Sequence, residues 1–372
     1  DTNSAVKAAK EAFIGWRKTS KEEKISLIQK LYEIYKSRWD EMTKVISMEM
    51  GAPLDYASQG RCVTAEDYKV YAKKLFPNAQ SVSVFGGESG SFDSSLGVVS
   101  TAEYGKVFIS IKSTTGLELT SAEKSQLIKD YAPYTVASTT PVIVDPLTTY
   151  LILNVTFKFN TSATTSTGPE LESLVLTTLQ NYNTSDLEQF EGLFRHSKVL
   201  GLIDNTNTSI TSNTTNITMA QKFTPTTTAI TSYTINFNNA FYNPHSDHNK
   251  TAGGIVSSTG FKINDDSSTN EHFLDDDGAG NMRVYYLSGT TRIYTSSTYG
   301  TIDYTTGEII LTSAHVTSIS NVDGAASTKV RVFVKPDSND IVPVRNQILQ
   351  IDTANSTITG EVDTIASGSS QA

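Results

Sequence analysis

The pattern of apolar and polar positions predicts helices at the start of the chain. After Ser20, apolar residues recur every three or four positions from Ile25 to Tyr35, which is the spacing of one helical face. Ser20 and Glu23 have the spacing of a capping box, in which the serine side chain accepts a hydrogen bond from a backbone N–H. Because isolated helices are only marginally stable in water, we expect this apolar row to be buried against another surface.

Between residues 60 and 160 the pattern alternates between helix and strand. Two further capping boxes, Thr64–Asp67 and Thr120–Glu123, each open a helix. The predicted elements are a helix to about Phe76, strands at Ser81–Phe85 and Lys106–Lys112, a helix to about Tyr131, and a strand at Tyr150–Phe159. With one more strand upstream, this order is the ferredoxin-like split βαβ arrangement.

The second half of the chain has the pattern of a β domain. A helix is predicted from Gly168-Pro169, and three predicted core residues come after it: Phe190, Leu193 and Phe194. Short alternating strands then recur between about 201 and 335, with a hairpin turn predicted at Asp303–Glu308. The predicted fold class is α+β, with an N-terminal helical segment, a ferredoxin-like split α/β region and a β-rich, sandwich-like domain.

Composition changes sharply along the chain. The first 58 residues are dense in Lys, Glu and Ala, whereas the chain beyond about residue 140 is rich in Thr, Ser and Asn. Such a shift usually marks a domain boundary. The predicted division is a helical segment at 1–58, an α+β domain at 59–200, a β-rich domain at 201–335, and a C-terminal extension at 336–372 that returns to the core.

Charge and cysteine content exclude several classes of function. The 372 residues carry a net charge of −9, which disfavours binding to a phosphate backbone. No apolar run approaches the roughly 18 residues needed to cross a bilayer. Cys62 is the single cysteine, so the sequence offers neither an intramolecular disulfide nor a Cys-rich metal site.

Two polar clusters could bind a metal ion. Asp275–Asn281 holds three consecutive carboxylates suited to Ca²⁺, but it lacks the twelve-residue loop with its closing Glu, so a polar hairpin loop is favoured. His245 and His248 could share a metal ion, but Pro244 and the lack of an apparent third ligand favour an ordinary loop. No metal ligand is assigned from either cluster.

Three potential cations lie together in Arg195, His196 and Lys198. These are the candidate interaction residues, which would hold a carboxylate of a neighbouring subunit. The alternative is a solvated turn beside a helix. The sequence contains neither a Gly-x-Ser-x-Gly nucleophile motif nor a phosphate-binding loop, so no catalytic or cofactor-binding residue is assigned.

The first helical stretch reads AVKAAKEAFIGWRKTSKEEKISLIQKLYEIYKSRWDEMTKVISMEMGAP. Over about residues 1–57 the chain resembles the N-terminal helices of aldehyde dehydrogenases, as an apparent fusion to the remainder of the chain. The chemistry of that family requires a Gly-rich dinucleotide loop, a general-base Glu and a nucleophilic Cys. Cys62 lies in Gly-Arg-Cys-Val-Thr, which differs from the family's nucleophile motif, so no functional residue or cofactor is carried over.

A second set of stretches lies beyond this helical segment: Arg61–Tyr68, Phe76–Asn78, Phe85–Glu88, Tyr104–Ile109, Val144–Pro146, Phe194–Lys198 and Gly300–Tyr304. Over about residues 53–372 the chain resembles the baseplate wedge subunits of T-even-like contractile-tailed phages, within the baseplate J-like family. The resemblance implies a structural virion protein of the tail baseplate, assembled in the host cytoplasm, which pairs with itself as a dimer or ring around the tail hub and contacts other baseplate wedge proteins.

We expect no cofactor, and the charge and the lack of a long apolar run predict no nucleic-acid partner and no membrane partner. The alternative function is a β-rich carbohydrate-binding or adhesin module of a virion, suggested by Thr- and Asn-rich strands and by tyrosines expected at the surface. Aldehyde oxidation is a third and weaker hypothesis, because the dinucleotide loop is missing.

Overall fold

A computed structural model of the chain describes residues 6–7, 10–11, 13, 16, 19–38, 60–89, 102–114, 118–245, 247–252, 254–264, 266, 270–322 and 324–365. The chain divides into two compact units, Asp1–Val63 and Thr64–Ala372. No helix among the described residues has the length and apolar character to cross a bilayer.

The first unit contains helix α1, Lys21–Ser37. Its predicted cap forms on the serine side, because the Ser20 hydroxyl accepts a hydrogen bond from the backbone N–H of Glu23 at 3.1 Å. Ile25 and Ile34, from the apolar row, are 46% and 58% exposed. These two side chains are exposed, and the other members of the row, Ile28, Leu31 and Tyr35, lie outside the described side chains.

The second unit begins with a small α/β layer. Its elements are helix α2 Ala65–Leu75, strands β1 Ala79–Gly86 and β2 Lys106–Ser113, helix α3 Ser121–Tyr131, and strand β3 Thr140–Val144. Both predicted capping boxes form, with Thr64 accepting from the N–H of Asp67 and Thr120 from that of Glu123, each at 3.2 Å. The strand order is β1-β2-β3, with β1 antiparallel and β3 parallel to β2.

One predicted strand belongs to a different sheet. The sequence assigned Tyr150–Phe159 as the last strand of the small layer, but β3 occupies that place, and Tyr150–Phe159 lies in the longer strand Leu147–Phe159. A split βαβ arrangement would place another strand between β2 and β3, whereas the two pair directly. The predicted ferredoxin-like arrangement of this layer is therefore wrong in its strand order. The pattern does not predict β3 because this strand has only five residues and contains Pro141, which weakens a strand signal.

The rest of the second unit is rich in strands, as predicted. Its helices are α4 Gly168–Tyr182, α5 His196–Asp204 and the short α6 His248–Ala252. Its strands are β4 Leu147–Phe159, β5 Ile210–Phe223, β6 Thr231–Asn236, β7 Val256–Ser258, β8 Phe261–Ile263, β9 His272–Asp276, β10 Asn281–Ser288, β11 Thr291–Asp303, β12 Glu308–Ala314, β13 Val316–Ile319, β14 Val330–Val334, β15 Gln347–Ile351 and β16 Thr357–Val362.

A six-stranded sheet has the order β15-β4-β5-β14-β7, and its sixth strand, β16, also pairs with β4. β15 and β16 both run parallel to β4 and pair with successive halves of it, so the C-terminal part of the chain returns to this sheet. β4 and β5 lie on opposite sides of the domain boundary predicted at residues 200–201, and they pair as neighbours. The predicted domain limits stay predictions, and this sheet extends across one of them.

A seven-stranded sheet has the order β13-β8-β9-β10-β11-β12-β6. Its buried side chains join those of the six-stranded sheet in one hydrophobic cluster, which includes Phe157 and Met219 from one sheet and Leu274 and Val284 from the other. Burial of these side chains away from water stabilises the two sheets as a single body. The prediction of an α+β fold with a β-rich C-terminal part is confirmed.

Candidate interaction surface

The hairpin of β10 and β11 extends beyond the strands that flank it. β9 pairs with β10 only over residues 282–286, and β12 pairs with β11 only over residues 300–303. Residues 287–298 form the rest of the hairpin and are called the β-arm. Every β-arm residue of β11 except Ser296 is exposed. The arm is therefore an elongated surface with strand geometry.

One edge of the β-arm carries unpaired backbone groups. Residues 291–296 of β11 pair with β10 on one side, and no described strand pairs with residues 291–298 on the other side. The segment reads Thr-Arg-Ile-Tyr-Thr-Ser-Ser-Thr, which contains β-forming residues, one charge and no proline. An edge of this kind can add a strand from another chain, although the charge of Arg292 and the irregular pairing of β11 with β10 around Ser296 limit how many residues could pair regularly.

Apolar side chains lie on both strands of the β-arm. Leu287, Ile293 and Tyr294 are 49%, 39% and 41% exposed. Tyrosine and arginine at the centre of a surface are typical of protein interfaces, and Arg292 lies close to Tyr294 in the same strand. The composition and the open edge both favour contact with another protein chain.

A buried carboxylate fixes the base of the β-arm. Asp275 is 1% exposed and accepts hydrogen bonds from Arg283 Nε at 3.0 Å, Arg292 Nη1 at 2.8 Å and the Tyr294 hydroxyl at 2.9 Å. The Arg283 guanidinium also lies 4.3 Å from the centre of the Tyr294 ring, and that of Arg292 lies 4.7 Å from the Tyr285 ring. These contacts hold the arm in one orientation before any partner binds, which lowers the entropy cost of association.

The acidic segment Asp275–Asn281 forms the end of β9, the turn and the start of β10, and its carboxylates accept hydrogen bonds from other groups of the chain. Asp276, fully buried in β9, accepts from the backbone N–H groups of Ile255 and Val256 at 2.6 and 2.8 Å and from the Tyr304 hydroxyl. Burial, followed by the hydrogen bond to Asp276, raises the pKa of Tyr304, so that hydroxyl remains a donor.

Asp277 closes the turn between β9 and β10. Burial opposes its ionisation, but hydrogen bonds from Asn281 and Ala279 outweigh this effect and lower the pKa of Asp277. Gly278 and Gly280 have φ of +72° and +107°, as expected for a hairpin that uses glycine at positive φ. The favoured prediction of a hairpin loop is confirmed. Among the described residues, no three His, Cys, Asp or Glu side chains are grouped as metal ligands.

The side chains of Arg195 and Lys198 contact carboxylates of their own chain, whereas the His196 ring lies 3.0 Å from the carbonyl oxygen of Thr215. Arg195 Nη1 lies 2.8 Å from Asp340 Oδ2, and the backbone N–H of His196 donates to Asp340 Oδ1 at 2.9 Å. The Lys198 amine donates to Asp186, and this bond lowers the pKa of the Asp186 carboxyl. Arg195 and Lys198 stay about half exposed, so their contact with a neighbouring subunit remains a prediction.

Two other sequence predictions have clear positions in the structure. His248 Nδ1 lies 3.2 Å from His245 Nε2, where the chain passes from a loop into α6. Of the predicted core residues, Phe190 and Phe194 are buried, whereas Leu193 is 40% exposed and that part of the prediction is wrong. The backbone carbonyl of Leu193 accepts a hydrogen bond from the Tyr182 hydroxyl, while the Leu193 side chain lies outside the core.

Two family models match consecutive parts of the second unit, and the boundary between the matches lies between β3 and β4. The family described as baseplate structural protein gp6, C-terminal domain I, matches residues 64–144, and C-terminal domain III of the same protein matches residues 148–222. The first match covers α2 to β3, and the second covers nearly all of β4 to β5. Residues 64–222 resemble a phage baseplate wedge protein.

An individual relative agrees with these matches. The baseplate wedge protein gp6 of Enterobacteria phage T4 is 25% identical over 166 residues, which are 44% of this chain and 23% of the phage protein. The matched region thus spans less than a quarter of that relative. The predicted resemblance to baseplate wedge subunits is confirmed.

The beginning of the chain matches a different family, as predicted. The aldehyde dehydrogenase family matches residues 1–100. A 3-succinoylsemialdehyde-pyridine dehydrogenase of Pseudomonas sp is 46% identical over 50 residues, 13% of this chain and 10% of that enzyme. The mitochondrial succinate-semialdehyde dehydrogenase of Homo sapiens is 39% identical over 57 residues, 15% of this chain and 11% of that enzyme. The chain therefore joins a dehydrogenase-like beginning to a baseplate-like remainder.

Proposed function

We propose that this chain is a non-enzymatic structural component of a contractile-tail baseplate wedge, located in the virion and assembled in the host cytoplasm. It acts by pairing with itself and by closing a ring around the tail hub together with other wedge proteins. The observation that carries this proposal is the consecutive match of two gp6 C-terminal domains over residues 64–222. The open edge of the β-arm supplies a physical means of pairing.

The β-arm supports pairing of two copies around a two-fold axis. In an antiparallel pair of identical edges, the same residues of both copies face each other, which is the requirement of a symmetric dimer interface. Backbone hydrogen bonds between the two β11 edges would join two seven-stranded sheets and set the register. Leu287, Ile293 and Tyr294 would contribute the apolar contact area.

Carbohydrate binding has less physical support in the same region. Sugar recognition by stacking needs an open aromatic face, and Tyr294 is the large aromatic side chain exposed in the described β-rich part. The Arg283 guanidinium covers its ring at 4.3 Å, and the Arg292 guanidinium covers the ring of Tyr285 at 4.7 Å. These two contacts disfavour the adhesin alternative.

Substitution Ile293→Lys tests the role of the β-arm. A lysine on an open strand edge opposes pairing, because two positive charges would face each other near the two-fold axis. Ile293 is 39% exposed, so the folded chain can accept the longer side chain. We expect sedimentation velocity to show a lower mass for Ile293→Lys than for the unchanged chain.

A matched control is Val342→Lys, since Val342 is 43% exposed and lies outside the β-arm. This variant should keep the mass of the unchanged chain. Thermal unfolding of both variants shows whether they fold. Equal masses for the two folded variants would remove the β-arm from the pairing surface.

A further inference from the structure

Two cations face each other across neighbouring strands in the six-stranded sheet. Lys222 of β5 and Arg331 of β14 are direct partners in the strand register. Lys329 lies just before β14 and lines the same groove as Lys222 and Arg331. Like charges directly opposite each other in a sheet are destabilising. The chain has nine more acidic than basic residues, so carboxylates that could neutralise such a pair are plentiful in its sequence.

The carboxylates near these cations compensate them incompletely. Arg331 Nη1 lies 3.4 Å from Asp352 Oδ2, and Lys329 Nζ lies 3.9 Å from Glu118 Oε1, which is beyond hydrogen-bond distance. Two carboxylates thus serve three cations.

Among the described residues no carboxylate lies within 4.0 Å of the Lys222 amine, although the Asp352 carboxylate attracts it from farther away. The Lys222 amine lies 4.0 Å from the centre of the Tyr150 ring. Partial burial lowers the pKa of the Lys222 amine, and the charge of Arg331 lowers it further. A partly buried ammonium beside a second cation is costly in the folded chain, and an incoming anion would relieve both effects.

An open groove gives a ligand access to the three cations. It has a volume of about 430 Å³ and is lined by Lys222, Lys329 and Arg331 together with Val322 and residues 325–328. The backbone groups of Val322 and Ala325 hydrogen-bond to each other at 2.9 and 3.0 Å, and the Lys329 N–H donates to the Ser327 hydroxyl at 3.1 Å. The wall of the groove is therefore held in shape by its own contacts.

We propose that this groove binds the carboxylates of an acidic segment of a partner protein. A carboxylate between Lys222 and Arg331 would accept charge-assisted hydrogen bonds from both. A short acidic peptide can place one carboxylate between these cations and fits an open groove, and inorganic phosphate is the competing anion that the test below distinguishes. This site is separate from the β-arm and does not depend on self-pairing.

Calorimetric titration of the full chain with hexaglutamate tests the proposal. We expect binding that weakens about tenfold in Lys222→Gln, the loss typical of one charge-assisted hydrogen bond. Lys329→Gln should also weaken binding. The control Lys262→Gln removes an exposed positive charge from β8 and should leave the affinity unchanged.

Stability measurements separate a binding role from a structural one. Because Lys222 is partly buried beside Arg331, Lys222→Gln should leave the unliganded fold as stable or more stable, while it weakens peptide binding. The proposal is overturned if hexaglutamate gives no binding, or if Lys262→Gln weakens binding as much as Lys222→Gln. Inorganic phosphate is titrated in parallel, and displacement of the peptide by equimolar phosphate would overturn the assignment to a protein carboxylate.

Discussion

At the scale of single residues, two of the cations predicted to bind a neighbouring subunit are bound within the described part of this chain. The cations predicted to hold a neighbour's carboxylate, Arg195 and Lys198, already contact Asp340 and Asp186. Asp340 also accepts from the first N–H of α5, so it joins the segment before β15 to a helix start. A subunit contact through these cations would have to compete with, or add to, these bonds.

The bonds of Asp340 predict a pH dependence of stability. The hydrogen bond from Arg195, followed by that from the His196 N–H, lowers the pKa of the Asp340 carboxyl. A carboxyl with a lowered pKa stabilises the fold above its unfolded pKa, and this contribution disappears as the pH falls through the folded pKa. Asp340→Asn should therefore cost about 0.5–1 kcal/mol at about pH 6 and clearly less at about pH 3, since the contribution declines below the unfolded pKa and is lost as the pH falls through the lowered folded pKa, measured by urea unfolding.

The control for this prediction is Asp337→Asn, at an exposed residue three positions earlier. Its free energy of unfolding should equal that of the unchanged chain at both pH values. An effect of Asp340→Asn that persists undiminished at the low pH would show that the carboxylate charge is not the cause.

At the scale of helices and strands, the sequence predicts a helix start correctly when the residues that form its cap are neighbours in the chain. The capping boxes at Thr64 and Thr120 place the starts of α2 and α3 within one residue, because both partners lie within one helical turn. The alternation at Tyr150–Phe159 predicts a strand but not its sheet, since pairing with β5, β15 and β16 depends on distant residues.

The candidate surface is only partly predictable for the same reason. Asp275 and Asp276 stand out in the sequence as part of an acidic cluster, but the counter-charges of Asp275 come from Arg283 and Arg292, whose proximity depends on strand register. The sequence contains the two strands of the β-arm as alternating Tyr- and Thr-rich runs. The residue pattern of those runs does not indicate that β10 and β11 extend beyond their pairing with β9 and β12.

The turn between β11 and β12 gives a prediction at the same scale. Gly307 has φ of +74°, and a Cβ there would lie 2.0 Å from the carbonyl oxygen of Asn239. Gly289, at the tip of the β-arm, has φ of +64° with open space around it. Alanine at either position meets backbone strain of about 1–2 kcal/mol, and only Gly307→Ala adds a steric clash with backbone.

We therefore expect Gly307→Ala to reduce the free energy of unfolding by more than Gly289→Ala, by at least about 1 kcal/mol, in urea titrations. Gly289→Ala serves as the control for positive φ without a clash. Similar losses for the two variants would show that the turn can move away from Asn239 at little cost.

At the scale of the whole molecule, the chain combines parts of two unrelated families. The dehydrogenase family matches residues 1–100 and overlaps the baseplate match from residue 64 onward. Within the overlap, residues 65–86 form α2 and β1, which pack with β2 of the small α/β layer. The part of the overlap that the structure describes therefore folds with the baseplate-like remainder.

The proposed non-enzymatic role predicts that nicotinamide cofactors do not stabilise the chain. The sequence has no Gly-rich loop for a dinucleotide, so NAD⁺ should leave the midpoint of thermal unfolding unchanged. Differential scanning fluorimetry with NAD⁺, and with ADP as the control for weak nucleotide binding, measures this directly. A clear rise with NAD⁺ alone would restore the dehydrogenase hypothesis.

Self-association is the central property proposed for this chain, and light scattering of the full chain over a range of concentrations tests it most directly. The chain has a mass of 40.4 kDa. Two-fold pairing through the β-arm predicts a dimer with an interface of well over about 1,000 Å², and a larger closed assembly requires a second interface with other copies. A mass that stays at 40.4 kDa up to the highest concentration would contradict such pairing.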